Sequence, residues 1–174
     1  MIGAEGPGNS ALARLLEEVR WCPSAANLQP WEIVVVRDSG TKEKIVQVTL
    51  DSLMRDEPNT RAFWLSEVPV ILVFCADLKR VRARFGNERS LHIAIGDTGG
   101  FLLVFRFFAI CQGWVTGIVR EFDPERLKNI LGIPRFIEPI ALVAMGRGKY
   151  SGGQVIDKPT MDLSDFLHDE KWWT

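Results

Sequence analysis

The chain has 174 residues, 47% of them hydrophobic, with 21 basic and 22 acidic side chains and a formal net charge of -1. That length is one domain with room for a sizeable core. The near-neutral balance leaves no overall field to gather nucleic acid or an anionic membrane surface, and no basic-then-apolar leader opens the chain, so a cytoplasmic protein is expected.

In chain order, Met1 to Asn9 is glycine-rich and reads as a flexible lead-in, with residues 10–174 as a single domain. Ser10 is placed to cap a helix from Ala11 to about Trp21, whose Leu12, Leu15, Leu16 and Val19 share one face. Then comes Cys22-Pro23-Ser24-Ala25-Ala26-Asn27-Leu28-Gln29-Pro30-Trp31. Two prolines disfavour helix in the residues before them. Three small residues let another surface approach, and the Asn27 and Gln29 amides offer donors and acceptors together. Such a connection suits a flat heteroaromatic ligand; it also reads as ordinary helix-to-strand turn chemistry.

A strand over Glu32–Val36 follows, then a turn at Asp38–Thr41, an amphipathic helix over Lys42–Leu53, and a short helix from about Thr60 to Ser66. The run Val68 to Ala76 is apolar nearly throughout, as in a strand buried on both faces, with Pro69 at its start. Lys79, Arg80, Arg82, Arg84 and Arg89 surround Gly86-Asn87 and read as a solvated loop, or as a positive rim that attracts a phosphorylated cofactor.

Leu91 to Cys111 approaches a membrane span in length, but His92, Asp97 and Arg106 interrupt it. It reads as a buried central helix in which Gly96, Gly99 and Gly100 let a second helix cross closely. A helix apolar almost all round must be covered on every side, which argues for a homodimer. Trp114 to Val119 is a short strand or loop carrying Thr116 and Gly117, Asp123 and Pro124 open a helix to Leu131, and Ile137 to Met145 is another buried strand. Gly146 to Lys158 is irregular, Asp162 to Leu167 a short helix, and the chain closes on Trp172-Trp173.

Other chemistries find little support. The cysteines Cys22, Cys75 and Cys111 form no CxxC pair, and two lie in apolar runs, so buried thiols are expected. His92 and His168 are the only histidines and belong to no metal-ligand spacing. There is no G-x-S-x-G elbow.

The pattern P-S-x-x-N-x-Q-P-W with its valine-rich strand resembles the signature of the nitroreductase family, the FMN-dependent NAD(P)H oxidoreductases. The resemblance runs on through Gly113-Trp114-Val115-Thr116-Gly117, Leu131-Gly132-Ile133-Pro134 and Glu138 to Gly146, and covers the chain from about Leu12 onward. It implies an α+β nitroreductase-like fold: a central, mostly antiparallel sheet flanked by helices, in a homodimer whose C-terminal segment crosses to the partner. It implies FMN as cofactor and NAD(P)H as reductant, with hydride passing to flavin N5 and then to a nitroaromatic or quinone-like acceptor. No side chain need act as acid or base, so no catalytic residue is assigned. Pro23, Ser24, Ala25 and Asn27, with Gln29 beside them, would line the ring and ribityl side from one subunit. Gly117 and Thr116 would come from the other, with a backbone N–H near N5. Arg61 or Asn59 would face N1 and O2.

The chain departs from the family at the phosphate. An upstream arginine-rich helix and an arginine after the Lys158-Pro159 pair are both missing; Thr160 stands there. A buried phosphate dianion needs cations. Lys158, Arg147 or Lys149 would replace them, or flavin binds weakly or not at all, or the recorded start omits a helix. The alternative function is a flavin-free relative that uses the same interfacial pocket for a ligand or partner.

Overall fold

The computed structural model describes residues 2–49, 62–148 and 160–172, and these contain four strands and five α-helices. Their order is α1 (Asn9–Val19), β1 (Trp31–Val36), α2 (Ser39–Val46), α3 (Trp64–Glu67), β2 (Val70–Asp77), α4 (Leu78–Cys111), β3 (Trp114–Val119), α5 (Pro124–Leu131) and β4 (Ile137–Arg147). The strands form one sheet in the order β1-β2-β4-β3, antiparallel at each junction.

The apolar run of β2 is explained by cover on both faces. Ile71, Val73 and Cys75 point into a core with Ile45 of α2, Leu65 of α3 and Leu127 of α5. Val70, Leu72 and Phe74 point the other way, into a core with Leu12, Leu15 and Val19 of α1 and Phe101, Leu102 and Phe105 of α4. Side chains alternate across a strand, so a two-sided sheet needs apolar residues at every position. Pro139 lies in the central strand β4, where it cannot donate to a ladder. The register shifts there, from Phe74↔Ala141 to Cys75↔Pro139, leaving Ile140 as the extra residue of a bulge.

The lead-in is not loose. Gly3 N–H donates to Arg147 O (2.7 Å), Arg147 N–H donates to Glu5 O (2.8 Å), and Ile2 bridges Gly148. The end of β4 has backbone groups to satisfy, and the lead-in satisfies them. Gly146 makes room: a Cβ there would lie 2.7 Å from Gly3 O. Helix α1 therefore starts at Asn9 with Gly8 as its cap, and Ser10 lies inside it.

Asp38 to Thr41 is the first turn of α2, because the Asp38 carboxylate accepts the Thr41 N–H (2.7 Å). That helix ends at Val46, short of the expected Leu53; residues 50–61 lie outside those described. The basic segment is helix, not loop. Asp77 caps α4 by accepting the Arg80 N–H (3.0 Å), and α4 breaks its regular backbone at Gly86 (φ 75°, ψ 179°). Val81 and Phe85, one turn apart, pack beside Ala76 and Ala94, and this apolar pair holds the charged turns to the body.

Helix α4 is covered on one side only. Ala94, Thr98, Phe101, Leu102, Phe105 and Ala109 are buried. Leu103, Phe107 and Ile110 are 65%, 67% and 60% exposed, and a Cβ at Gly96, Gly99 or Gly100 would meet nothing within 4 Å. Of the two thiols expected to be buried, Cys75 is buried and Cys111 is exposed, because it falls on the uncovered side. The short helix near Asp162 is a single 3-10 turn, Leu163–Asp165.

Candidate cofactor site

The connection from α1 to β1 has an unusual backbone. Ala26, Asn27 and Gln29 all have positive φ, at 50°, 54° and 47°. Asn tolerates this region better than most residues, whereas Ala and Gln do not favour it. Each such residue costs about 1–3 kcal/mol and persists only where its surroundings over-determine it.

The surroundings here are specific. Ala25 N–H donates to Asp97 Oδ2 of α4 (2.9 Å), and Gln29 N–H donates to Ser24 Oγ (2.9 Å). Gln29 O accepts from the Arg80 guanidinium, which also pairs with Glu32 and lies 3.5 Å from Asp77. Asp77 N–H donates to Pro30 O (2.7 Å). Past the loop, Trp31 stacks on Phe101, with ring centroids 4.4 Å apart and planes 10° from parallel. The result is a rigid bend whose exposed Asn27 carries an amide bonded to that of Gln29 (3.0 Å).

Beside the bend lies an open cavity of about 280 Å³, lined by Arg20, Trp21, Cys22, Pro23, Asn27 and Gln29. Ligand clefts usually span roughly 300–1,000 Å³. Trp21, 79% exposed, is among the residues lining this cavity. Burial, and then the Asp97 charge, push the Cys22 thiol up, so it stays protonated near neutral pH.

Thr116 and Gly117 lie far from this cavity in the same chain. The bend leads into Trp31, which is in register with Ala76 and so with Glu138; Gly117 is opposite Ala144 on the other sheet edge. Three inter-strand spacings and six residues along β4 separate the two by roughly 25 Å. One copy therefore does not bring Asn27 and Gly117 onto a single ring. Gly117 is small for a reason within the chain too: a Cβ there would sit 2.8 Å from the Trp64 ring. Thr116 faces α4, and its Oγ1 accepts from Arg106 Nε (3.0 Å).

Arg147, a candidate phosphate anchor, is engaged elsewhere. Its guanidinium lies 4.0 Å over the Trp114 ring, donates to Gln112 O (3.0 Å), and lies 3.6 Å from the Glu5 carboxylate. Arg61, Asn59, Lys149 and Lys158 lie outside the described residues. From sequence, Arg80 stands out only within a positive rim, and Asp97 and Arg106 only as interruptions of an apolar helix. The available signal was a charge inside an apolar helix, which needs a partner. Asp97 finds the bend and Arg106 finds Thr116.

Comparison with known proteins agrees with this fold. The model of the nitroreductase family matches residues 7–147. An NADH dehydrogenase of Thermus thermophilus is 30% identical over 164 residues, 78% of this chain and 74% of that one. An FMN reductase (NAD(P)H) of Bacillus subtilis is 25% identical over 175 residues, 92% of this chain and 65% of its own length. The crystal structure of a nitroreductase family protein from Streptococcus pneumoniae superimposes with a TM-score of 0.77 at 17% identity, covering 97% of this chain and 92% of that one. With its antiparallel sheet between two helical layers and its asparagine-bearing bend ahead of the first strand, this chain belongs to the nitroreductase family of oxidoreductases.

Proposed function

We propose that the protein is an NAD(P)H-dependent flavin oxidoreductase that binds FMN between two copies of the chain. The observation that carries this reading is the strained bend at Ala26, Asn27 and Gln29, held open beside a half-walled cavity. The names of the two relatives, an NADH dehydrogenase and an FMN reductase, support it.

Pro23, Ser24, Ala25, Asn27 and Gln29 fit one face and edge of a flat heteroaromatic ring: small side chains, a rigid backbone, and amides that serve as donor or acceptor. When bound, FMN supplies the hydride chemistry, taking reducing equivalents from NAD(P)H and giving them to a nitroaromatic or quinone-like acceptor. The chain's part is to bind, orient and exclude water. Thr116 and Gly117 of a second copy form the opposite wall, since the sheet holds them some 25 Å from the bend of their own chain.

The dimer is supported by the uncovered stripe on α4. Leu91, Ile95, Leu103, Phe107 and Ile110 recur at helical spacing, each 38% to 67% exposed, with the open glycines among them. Exposed apolar surface of this extent marks an interface. Asp97 and Arg106 lie within the same helix and bond to the bend and to β3, which seats α4 in the fold and argues against a membrane span. Met161, Leu163, Phe166 and Leu167 are also exposed, as fits a C-terminal segment that crosses to the partner.

The absorption spectrum of desalted protein, before and after FMN addition, tests this reading. Retained flavin bands with NAD(P)H oxidation support it. Colourless protein that takes up no added FMN overturns it. One observation favours the second reading, a flavin-free relative with a ligand pocket at the same seam: Arg147, on which a phosphate would rely, is already occupied by Trp114, Gln112 and Glu5.

A further inference from the structure

We infer that Arg80 and Asp97 are positioning residues that together hold the bend in its ligand-binding shape; this rests on the flavin reading of the same site. Neither side chain lines the cavity beside the bend. They hold its two ends. Asp97 takes the N–H of Ala25, just before the first positive-φ residue, and Arg80 donates to the carbonyl of Gln29, the last of the three. Between these ends, Ala26 and Gln29 adopt a backbone that neither side chain prefers. Freed at either end, the run relaxes toward ordinary φ, and the Asn27 and Gln29 amides lose their orientation.

The two residues are 17 positions apart on α4, on opposite sides of the break at Gly86. That break lets one helix address both ends of a short loop. Phe85 on the near side of the break packs in the same cluster as Leu28 of the bend, so the first turns of α4 and the loop share one apolar contact region. Arg80 is suited to its place because one planar fork serves Gln29 O, Glu32 and Asp77 at once, which a lysine ammonium does not. Asp97 is suited because its carboxylate accepts strongly from a backbone N–H; asparagine in its place keeps an acceptor oxygen without the charge.

The test compares Arg80→Ala, Arg80→Lys, Asp97→Ala and Asp97→Asn. Lys128→Met serves as a control, altering an ion-pair network of α5 and β4 whose members do not line the cavity beside the bend. FMN titration of each purified protein is paired with amide hydrogen exchange of the flavin-free form. Arg80→Ala and Asp97→Ala should each weaken FMN binding about tenfold or more. Asp97→Asn should stay within a few-fold of wild type, and Arg80→Lys should recover little. Lys128→Met should lower stability and leave FMN affinity unchanged. Exchange at the Ala25 and Gln29 amides should accelerate in the two alanine variants, with β2 unaffected. Wild-type affinity in both alanine variants, or an equal loss in Lys128→Met, overturns the inference. If wild type binds no FMN, the flavin reading falls by itself. Exchange then decides the clamp: acceleration confined to the bend supports it, and unchanged rates overturn it.

Discussion

Replacing Phe107 by aspartate separates what α4 does for one copy from what it does for two. Phe107 is 67% exposed, so the monomer has little packing to lose there. Aspartate and phenylalanine also differ little in helix propensity. Full burial of a phenylalanine contributes about 1.5–3 kcal/mol, so covering the remaining two-thirds contributes about 1–2 kcal/mol. A two-fold interface counts each substitution twice. The loss is then about 2–4 kcal/mol, or roughly 30- to 700-fold in the dimer dissociation constant. Desolvation of the new carboxylate adds to it. Sedimentation equilibrium across a dilution series, with urea melts extrapolated to the monomer, reads both quantities. The expected result is a dimer that dissociates at much higher concentration, a monomer of near wild-type stability, and FMN uptake lost in step with the dimer. A wild-type protein that stays at 19.6 kDa at every concentration refutes the reasoning. So does a Phe107→Asp protein that remains dimeric with unchanged affinity.

Lys128→Met should cost about 1–3 kcal/mol by urea denaturation. The lysine side chain is 8% exposed and donates to Glu138 (2.7 Å) and Glu125 (2.9 Å), and its removal strands Glu138, which is 26% exposed; the figure sits below that for a fully buried pair because both acids reach solvent. Burial pushes the Lys128 ammonium down, but its hydrogen bonds to Glu138 and Glu125 outweigh that and leave its pKa above the ordinary lysine value. Its contribution is therefore complete below the ordinary lysine range and lost as pH rises through the raised value, so wild type should lose more stability than Lys128→Met in strong alkali. Gly117→Ala places a Cβ 2.8 Å from the outer edge of the Trp64 ring. Trp64 is 42% exposed and can yield, so the cost should be about 1 kcal/mol and vanish in a Trp64→Phe background, read from urea midpoints. Burial pushes the Cys75 thiol up to about 12, so it should resist alkylation at pH 8 until the protein unfolds. Asp97→Asn should speed alkylation of Cys22, because it removes a charge that holds that thiol protonated; an unchanged rate would place Asp97 too far away to matter.

Features governed by near neighbours were legible in the chain. The helical spacing of Leu12, Leu15 and Val19 marked the buried face of α1. The unbroken apolar run before Asp77 marked a strand covered on both sides. Asp123 with Pro124 marked the start of α5, which ends at Leu131 as expected. The residues of the bend were legible as a motif, since prolines and small side chains restrict a loop by themselves. The basic turns after Asp77 are helix rather than the loop their charges suggest, because counting charges overlooks Val81 and Phe85, one helical turn apart.

Other features required the chain to meet itself. Ala25 and Asp97 are 72 residues apart, and Gln29 and Arg80 are 51 apart; no local pattern says which charge in α4 will find which backbone group. The positive φ at Ala26 and Gln29 runs against their own preferences and exists because those distant partners hold it. The contact of Arg147 with Trp114 arises for the same reason, since only the pairing of β3 with β4 brings Trp114 beneath it. Sequence by itself determined where the strands, the bend and helices α1 and α5 would be, because periodicity and proline act within a few residues. Tertiary structure alone decided which charges hold the bend, which side of α4 is left bare, and that Asn27 and Gly117 stand on opposite edges of one sheet, because those depend on strand order and register between segments far apart in the chain.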